Sequence, residues 1–326
     1  MKGMTIQLFA FSVVLVITYG TVQNPYTSYY INDLKAEALP VARETSDLYE
    51  QIKEKAKNYE IEPENAKVDR VWKLIPGYNG LKVDIKASYD NMKKTGSFDE
   101  SKLIYKQVPP TVHLKDLPPT PIYKGHPEKP MVSFIINVAW GNEYIPQILE
   151  TLKKHHVKAT FFLEGRWAKN NPDMAKMIVA AGHEIGNHSF SHPNMKIISE
   201  NQIKDELQKT NDVIQSVTGE TCKWFAPPSG SYRQEVVDIA SQMKMGTIMW
   251  SVDTIDWQKP QPHILIERVI TKIHPGALVL MHPTESTAKA LDQLVNEIKQ
   301  KGYSLGDVST LLSEERIIKK QAVQKR

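Results

Sequence analysis

The chain has 326 residues, with 41 lysines and arginines against 37 aspartates and glutamates, and a formal net charge of +4. This length accommodates one domain of about 200 residues and a smaller one, and the balanced charge provides no global field that would attract nucleic acid. The single cysteine, Cys222, excludes an internal disulfide and a C-x-x-C metal or redox motif, and it is interpreted as a structural thiol.

The N-terminal segment, residues 1–22, has the pattern of an export signal. Lys2 is followed by an uncharged, largely apolar run from Met4 to Gly20, which predicts a signal peptide or a membrane anchor. An exported chain without a disulfide fits a bacterial envelope better than a eukaryotic secretory route. We therefore expect an extracellular protein, or one anchored on the outer face of the cytoplasmic membrane.

Residues 23–108 predict a helical stretch followed by a small α+β region. Leu48, Ile52 and Ala56 share one face of a predicted helix. The polar composition around them favours the interpretation of this helix as a solvated stalk or an amphipathic spacer. Strand-like runs, a Pro-Gly-Tyr-Asn-Gly turn and a short helix then predict a small α+β unit from Ala66 to Lys106.

A proline-rich segment, residues 109–130, follows this unit. It contains seven of the twenty prolines of the chain. Because proline fixes φ and removes a backbone donor, the segment is expected to be an extended connector. It predicts a boundary between two domains.

Residues 131–312 alternate between apolar strand-like runs and amphipathic helices. Six or seven such units predict a parallel sheet, either open or closed into a (β/α) barrel. The barrel is favoured because polar residues follow the strands repeatedly, at the end where such barrels build their sites. A basic tail, residues 313–326, ends the chain. The strand-like runs are MVSFIINVAW, ATFFLEG, HEIGNH, CKWFAPP, GTIMW and GALVLMH.

The most informative of these strand ends reads HSFSH and carries His188 and His192, four residues apart. That spacing can direct both imidazoles at one metal ion, although two ligands alone form a weak site. Asp253, Asp256 and His282 follow later strands. Because the ends of parallel strands meet at one edge of a sheet, we expect all five side chains to lie around one pocket.

HSFSH, followed in order by DTIDW and LVLMH, resembles the NodB-homology polysaccharide deacetylases, carbohydrate esterase family 4. The resemblance spans Met131 to Leu312, and the whole chain is similar, more weakly, to a sporulation-associated branch of this family in Gram-positive bacteria. Members have a distorted (β/α) barrel. They remove acetyl groups from N-acetylglucosamine in chitin or peptidoglycan, or from acetylated xylan, with a divalent metal.

The resemblance implies a role for each matching residue. His188 and His192 correspond to two metal ligands, suited to zinc, cobalt or nickel. His282 corresponds to the acid that protonates the leaving amine. The residues that correspond to the aspartate–tryptophan motif, which orients or tunes this histidine, are Asp253, Asp256 and Trp257. Substrate-pocket positions are assigned to Trp257, Pro228 and Tyr232.

Three family positions have lost their expected residue. The first motif, T-F-D-D-G, reads NVAWG here, so Ala139 stands in place of the general base and Trp140 in place of the third metal ligand. The arginine that holds the base is replaced by Ala226 in FAPPSG. The losses are concerted, since an arginine left without its carboxylate would be a costly unpaired charge. A divalent metal is therefore expected to bind weakly or not at all.

Two function classes remain open from the sequence. One is a non-catalytic protein of the deacetylase fold that binds or scaffolds cell-wall glycan, and the degenerate first motif favours it. The other is an active metal-dependent deacetylase in which Glu143, two residues past Gly141, supplies a substitute carboxylate. For both classes the predicted partners are N-acetylglucosamine-containing glycan and, through the N-terminal segment, a membrane, with no nucleic acid.

Overall fold

The computed structural model describes residues 2–22 and 24–318. They divide into two compact units, the first formed by residues up to 61 together with 81–106, and the second by residues 62–80 and 107–318. The predicted α+β unit from Ala66 to Lys106 is thus shared between the two. Residues 319–326 of the predicted basic tail lie outside the described residues.

The first unit is mainly helical. Its helices are α1 (Lys2–Val22), α2 (Pro25–Ala56) and α3 (Ile85–Met92), and strands β3 (Gly80–Val83) and β4 (Tyr105–Val108) pair with each other. Asn24 caps α2 by accepting a hydrogen bond from the backbone N–H of Tyr26, and Pro25 occupies the first helical position. These residues explain why α2 begins where it does.

The interpretation of this helix as a solvated stalk is wrong for its C-terminal part. Leu48, Ile52 and Ala56 are buried and pack in one cluster with Met92 and Leu103. Their spacing on one helical face correctly indicated an apolar stripe. The stripe is covered because α3 and the segment that follows it supply a matching apolar surface.

The apolar N-terminal residues form helix α1. Among the described residues, no single helix satisfies the length and hydropathy expected of a membrane span. One bent pair, Ile6–Thr21 with Pro25–Leu34, satisfies them jointly, with an angle of 51° between the two parts.

The second unit contains an eight-stranded parallel sheet that curls into a distorted barrel, as predicted. The strand order is β10-β11-β5-β6-β7-β8-β9, and β12 pairs with the beginning of β5. Since the order begins with β10 and ends with β9, the barrel opens between these two strands. The strands are β5 (Met131–Val138), β6 (Thr160–Leu163), β7 (Glu184–Asn187), β8 (Trp224–Phe225), β9 (Gly246–Thr247), β10 (Val252–Asp253), β11 (Leu278–Met281) and β12 (Ser304–Gly306).

Helices connect these strands and cover the outside of the sheet. The longest begins at a capping box, in which the Ser199 hydroxyl accepts from the Gln202 N–H and the Gln202 side chain accepts from the Ser199 N–H, and it ends at Gly219 with φ 78°. The helices are α4 (Ile145–Lys154), α5 (Gly165–Asn170), α6 (Pro172–Ala180), α7 (Glu200–Thr218), α8 (Gln234–Gln242), α9 (Pro262–Lys272), α10 (Glu285–Gln300) and α11 (Val308–Leu312).

The core has two layers on either side of the sheet, because successive residues of a strand point to opposite faces. All eight residues of β5 are buried. Phe134, Ile136 and Val138 pack in the cluster that contains the helix side chains, whereas Met131 and Ile135 pack in a smaller interior cluster. Residues 137 and 139 continue the interior row, which directs them to the carboxyl end of the barrel.

The proline-rich segment is not a free connector but packs along the barrel. Ile122 is buried in the interior cluster and forms a parallel bridge with Ile248. Its backbone accepts from the Met249 N–H at 2.8 Å and donates to the Thr247 carbonyl at 2.9 Å. The extended conformation that proline imposes leaves neighbouring amides and carbonyls free to pair with a sheet edge. Strands β1 (Lys67–Asp69) and β2 (Lys73–Ile75) form an antiparallel pair in the same unit.

Candidate functional site

A cavity of about 470 Å³ lies at the carboxyl ends of the barrel strands. Seven of the residues singled out from the sequence line it: Ala139, Trp140, His188, His192, Asp253, Trp257 and His282. The loops after β5, β7, β10 and β11 bring them together. This convergence is the one expected for strand ends of a parallel barrel.

The loop after β7 holds the two histidines in place. Glu206 of α7 accepts hydrogen bonds from the backbone N–H groups of Phe190 and Ser191, at 2.9 and 2.7 Å. Ser189 and His192 have positive φ, 62° and 57°, a conformation that is uncommon for residues other than glycine. Backbone strain of this kind is typical of functional loops, and Glu206 fixes the loop in that conformation.

His188 and His192 lie side by side, with ring centroids 5.1 Å apart. The Nδ1 of His188 donates to the Ala226 carbonyl at 2.8 Å, which leaves Nε2 as the ring nitrogen without a proton. Burial, together with the neighbouring His192, lowers the pKa of His188 to about 3. Burial also lowers the pKa of His192. Both imidazoles are therefore neutral near pH 7, the form that can bind a metal ion.

A third metal ligand is absent from this pair within residues 2–22 and 24–318, where no group of three His, Cys, Asp or Glu side chains is placed to hold a metal ion. The corresponding position is Trp140, whose indole has no lone pair to donate. Zinc sites in proteins use at least three protein ligands. The donor set among the described residues is therefore incomplete for a divalent metal.

His282 is held by a fully buried carboxylate. Asp256 Oδ1 lies 2.8 Å from His282 Nδ1, and Asp256 Oδ2 accepts from the His282 backbone N–H at 2.5 Å and from the Thr287 hydroxyl at 2.6 Å. Because a carboxylate accepts only, the His282 proton lies on Nδ1 and Nε2 is free. The sequence assigned both Asp253 and Asp256 to this task, but only Asp256 contacts the histidine. Asp253 accepts from the Ile255 N–H at 2.8 Å.

Trp140 stacks on His282. The two rings are nearly parallel, with an interplanar angle of 9° and centroids 5.9 Å apart, and the indole is 47% exposed. The tight turn after it requires Gly141, which has φ 82° and whose Cβ, if present, would lie 2.0 Å from the Pro283 carbonyl oxygen. The turn therefore keeps Trp140 beside His282. An aromatic platform thus occupies the place that the resemblance gives to a metal ligand.

Four further cavity residues escaped the sequence analysis: Asn137, Ser229, Trp250 and Leu280. Asn137 is the most informative, because its Oδ1 is buried and has no hydrogen-bond partner among the described residues. An unpaired buried acceptor costs about 1–3 kcal/mol. A polar residue within the apolar run FIINV, on the same strand face as Ala139, was the available signal.

Besides Asp256 and Ala226, which are buried and do not line the cavity, three residues predicted for the site are not in the cavity wall. Pro228 is buried and Ser229 lines the cavity in its place. The Tyr232 hydroxyl is hydrogen-bonded to the Tyr123 hydroxyl at 3.0 Å. Glu143 is exposed, in the turn before α4. Because Gly141 turns the chain away from the strand end, its carboxylate is not among the cavity-lining groups.

Comparisons with known proteins agree with this geometry. A family profile described as polysaccharide deacetylase matches residues 124–248. The peptidoglycan-N-acetylmuramic acid deacetylase PdaA of Bacillus subtilis is 32% identical over 198 residues, which cover 59% of this chain and 75% of PdaA. This chain belongs to the polysaccharide deacetylase family. A second family relative, the uncharacterized protein YlxY of Bacillus subtilis, is 54% identical over 303 residues, 93% of this chain and 95% of YlxY.

One of the similar solved structures is described as a pseudoenzyme of this family. A crystal structure described as a CE4 family pseudoenzyme from Bacillus anthracis is 60% identical to this chain, with a TM-score of 0.80, and covers 83% of this chain and 96% of its own. A mutant of that pseudoenzyme, described as having restored enzymatic activity, has the same TM-score and is 59% identical over 83% of this chain and 99% of its own. The deacetylase fold therefore occurs in a non-catalytic form among the relatives of this chain.

Proposed function

We propose that this chain is a non-catalytic member of the deacetylase family that binds N-acetylglucosamine-containing cell-wall glycan in the bacterial envelope. The observation that carries the proposal is the stack of Trp140 on His282, in the position of the third metal ligand. The glycan comes from the resemblance and from relatives that are named peptidoglycan deacetylases.

The proposed loss of catalysis follows from the size of the two contributions to the rate that this site lacks. A positioned general base contributes about 10² to 10⁴-fold to a rate, and Ala139 cannot act as one. Loss of a metal ligand removes Lewis-acid assistance as well, which is worth several kcal/mol. The two effects act on one metal-bound water and are not additive. The Asp256–His282 pair is kept, but a histidine without a base, a nucleophile and a complete metal site does not turn over an amide.

The cavity nevertheless keeps the features of a sugar site. Trp140 and Trp257 are 47% and 56% exposed at its mouth, and the apolar face of a sugar ring packs well on an exposed aromatic side chain. His188, His192 and His282 offer polar atoms deeper inside. A few fixed polar groups in an otherwise apolar concave site are typical of ligand pockets.

The active alternative rests on Glu143. Its exposed position outside the cavity wall gives it no contact with His188 or His192 in this structure. Glu143 therefore does not support an active deacetylase here. Acetate release by the unmodified chain would be the result that favours one. We also propose that the protein lies in the bacterial envelope and that its N-terminal segment is a signal peptide or a membrane anchor. The apolar run of residues 4–20 supports both points.

Calorimetric titration of the full chain with N-acetylglucosamine oligomers tests the proposal. We expect saturable binding that weakens about tenfold in Trp257→Ala, since one stacked aromatic ring contributes on the order of 1 kcal/mol. Trp72→Ala is the matched control. Trp72 is also exposed, at 37%, but it lies in the turn between strands β1 and β2, outside the cavity. No binding by the unmodified chain, or equal losses in both variants, would refute the proposal.

A further inference from the structure

The hairpin formed by strands β1 and β2 carries an apolar tip. Val68 and Val71 are 52% and 68% exposed, and Trp72 is exposed beside them. We infer that this hairpin is a docking surface for anionic membrane lipids, and that it holds the barrel with its cavity facing away from the membrane. The inference rests on the envelope location in the proposed function, and it adds a second membrane contact besides the N-terminal segment.

A carboxylate holds the tip of the hairpin in one conformation. Asp69 Oδ1 accepts hydrogen bonds from the backbone N–H groups of Val71 and Trp72, at 2.8 and 2.7 Å. An aspartate that bonds the backbone two residues ahead closes a tight turn. The two apolar side chains are therefore presented together by an ordered turn, which lowers the entropy that is lost when they bind a surface.

Trp72 is supported by the barrel and yet remains accessible. Lys124 Nζ lies 5.2 Å from the centroid of the indole, and the centroid of the His274 ring lies 6.0 Å from it. More than a third of the tryptophan is nevertheless exposed, at 37%. Tryptophan is enriched where a bilayer meets water, because its ring is amphipathic. A supported, exposed indole beside a lysine fits that environment.

The charge around the tip is positive. The hairpin contains a single carboxylate, Asp69, which already accepts two backbone hydrogen bonds. An apolar tip among cations fits a bilayer, which has anionic headgroups over an apolar interior. A soluble polyanion would pair with the cations but would leave the apolar tip in water. Four basic side chains lie in or beside the hairpin, and none forms a salt bridge among the described residues: Lys67, Arg70, Lys73 and Lys124.

The hairpin lies at the amino ends of the barrel strands. Lys124, which contacts Trp72, forms a bridge with Ala277, the residue directly before β11. His274 lies in the same loop before β11 and also contacts Trp72. The cavity lies at the opposite, carboxyl ends of the strands. A barrel that docks through its amino end therefore directs the cavity away from the bilayer, toward the wall glycan.

A fluorescent label at the tip tests this docking. The Val71→Cys variant of the full chain is labelled with nitrobenzoxadiazole and reconstituted into phosphatidylcholine vesicles with or without phosphatidylglycerol. The native Cys222 is buried and reacts little. With phosphatidylglycerol present, we expect the emission to shift to shorter wavelength and nitroxide-labelled lipids to quench it. The matched control is the label in Ile197→Cys, since Ile197 is 78% exposed in the loop after the carboxyl end of β7. That label should not respond.

Two charge variants in the labelled background assign the docking to the hairpin. Lys67→Gln combined with Arg70→Gln should lower the ratio of docked to undocked label about tenfold or more, since each basic residue near an anionic surface contributes roughly fivefold. Lys204→Gln combined with Lys209→Gln removes the same charge from helix α7 and should leave the ratio unchanged. Equal losses in the two double variants would contradict a specific role of the hairpin.

The outcomes separate the docking surface from the anchor. If the chain floats with the vesicles but the tip label responds no more than the Ile197 label, the inference is overturned and the proposed anchoring stands. If the chain floats with neither kind of vesicle, both fail. An equal response of the tip label to soluble polyphosphate without vesicles would identify an anionic polymer as the partner and would overturn the inference. Glycan binding is measured without vesicles and is independent of all three results.

Discussion

Asp256 holds His282 through two hydrogen bonds, one to the ring at 2.8 Å and one to the backbone at 2.5 Å. The histidine to which the resemblance gives the role of acid is thus held in place, whereas Ala139 and Trp140 stand at the positions that the resemblance gives to the base and the third metal ligand. A fully buried carboxylate requires such partners, because an unpaired buried charge is very costly. The pair therefore contributes to the fold even where it no longer contributes to turnover.

The structural role of this pair can be measured. Asp256→Asn leaves one acceptor oxygen and turns an NH₂ group toward existing donors, so we expect the free energy of unfolding to fall by about 1–3 kcal/mol. Asp253→Asn is the control, since its amide oxygen can still accept from the Ile255 N–H, and we expect it to lose less than about 1 kcal/mol. Urea denaturation measures both, and equal losses would contradict the assignment.

Metal binding should be weak. With His188 and His192 as the protein ligands and water completing the shell, we expect a zinc dissociation constant no tighter than about 1 µM. His188→Ala should abolish this binding, and substitution of the exposed His263 should not change it. A nanomolar affinity in calorimetric titration, unaffected by His188→Ala, would show that a different ligand set is present.

Acid should weaken the fold through His183, at the opposite end of the barrel. Its Nδ1 accepts from the Ala159 N–H at 3.2 Å, and burial, followed by the charge of Lys158, lowers its pKa to about 4. The unfolded chain binds this proton near pH 6.5, so stability is lost as the pH falls from about 6.5 to about 4.

The share of His183 in this loss is up to about 3 kcal/mol. The His183→Gln variant keeps an acceptor for the Ala159 N–H but does not titrate. Its unfolding free energy should therefore depend less on pH over this interval than that of the unmodified chain. Parallel curves for the two proteins in urea titrations at several pH values would contradict the assignment.

The apolar N-terminal segment should determine location. Deletion of residues 2–22 is expected to move the protein from the membrane or external fraction to the cytosol, because no other long apolar run is present in the sequence. A full-length Trp257→Ala variant, which keeps the segment, is the control. Recovery of the full-length chain only in cytosol, with Met1 intact, would refute this expectation.

Much of the barrel could be predicted because its signals are local. Apolar strand runs alternating with amphipathic helices imply a parallel sheet, and polar residues after strands imply one site at the carboxyl ends. This reasoning brought His188, Asp253 and His282 to the same cavity. Gly141 could be used to align the first motif, and its positive φ explains why a glycine is needed there.

The errors concern contacts between distant segments. The face formed by Leu48 and Ile52 indicated an apolar stripe, but its burial depends on residues more than thirty positions away. The proline-rich segment indicated an extended backbone, and nothing local showed that Ile122 would pair with Ile248. The division of labour between Asp253 and Asp256 depends on the path of one tight loop, in which Ile255 has φ 52°.

Restoring the missing chemistry should require three changes together. Ala139→Asp alone would place a carboxylate in the cavity without a cationic partner, which favours its protonated form and makes it a poor base. Trp140→Asp alone would supply a ligand but no base. Because the Trp140 indole is about half exposed, its removal should cost far less stability than the roughly 3–5 kcal/mol of a buried tryptophan. Ala226→Arg supplies the charge partner of the new base.

Acetate release from N-acetylglucosamine oligomers tests the central claim most directly. The unmodified full chain, assayed with zinc present, should release no acetate above the buffer rate, whereas the Ala139→Asp, Trp140→Asp, Ala226→Arg triple variant should release measurable amounts. The triple variant shows that the assay and the oligomer are suitable. Release by the unmodified chain at a rate ordinary for an enzyme, abolished by Glu143→Ala, would contradict the account and establish the active deacetylase.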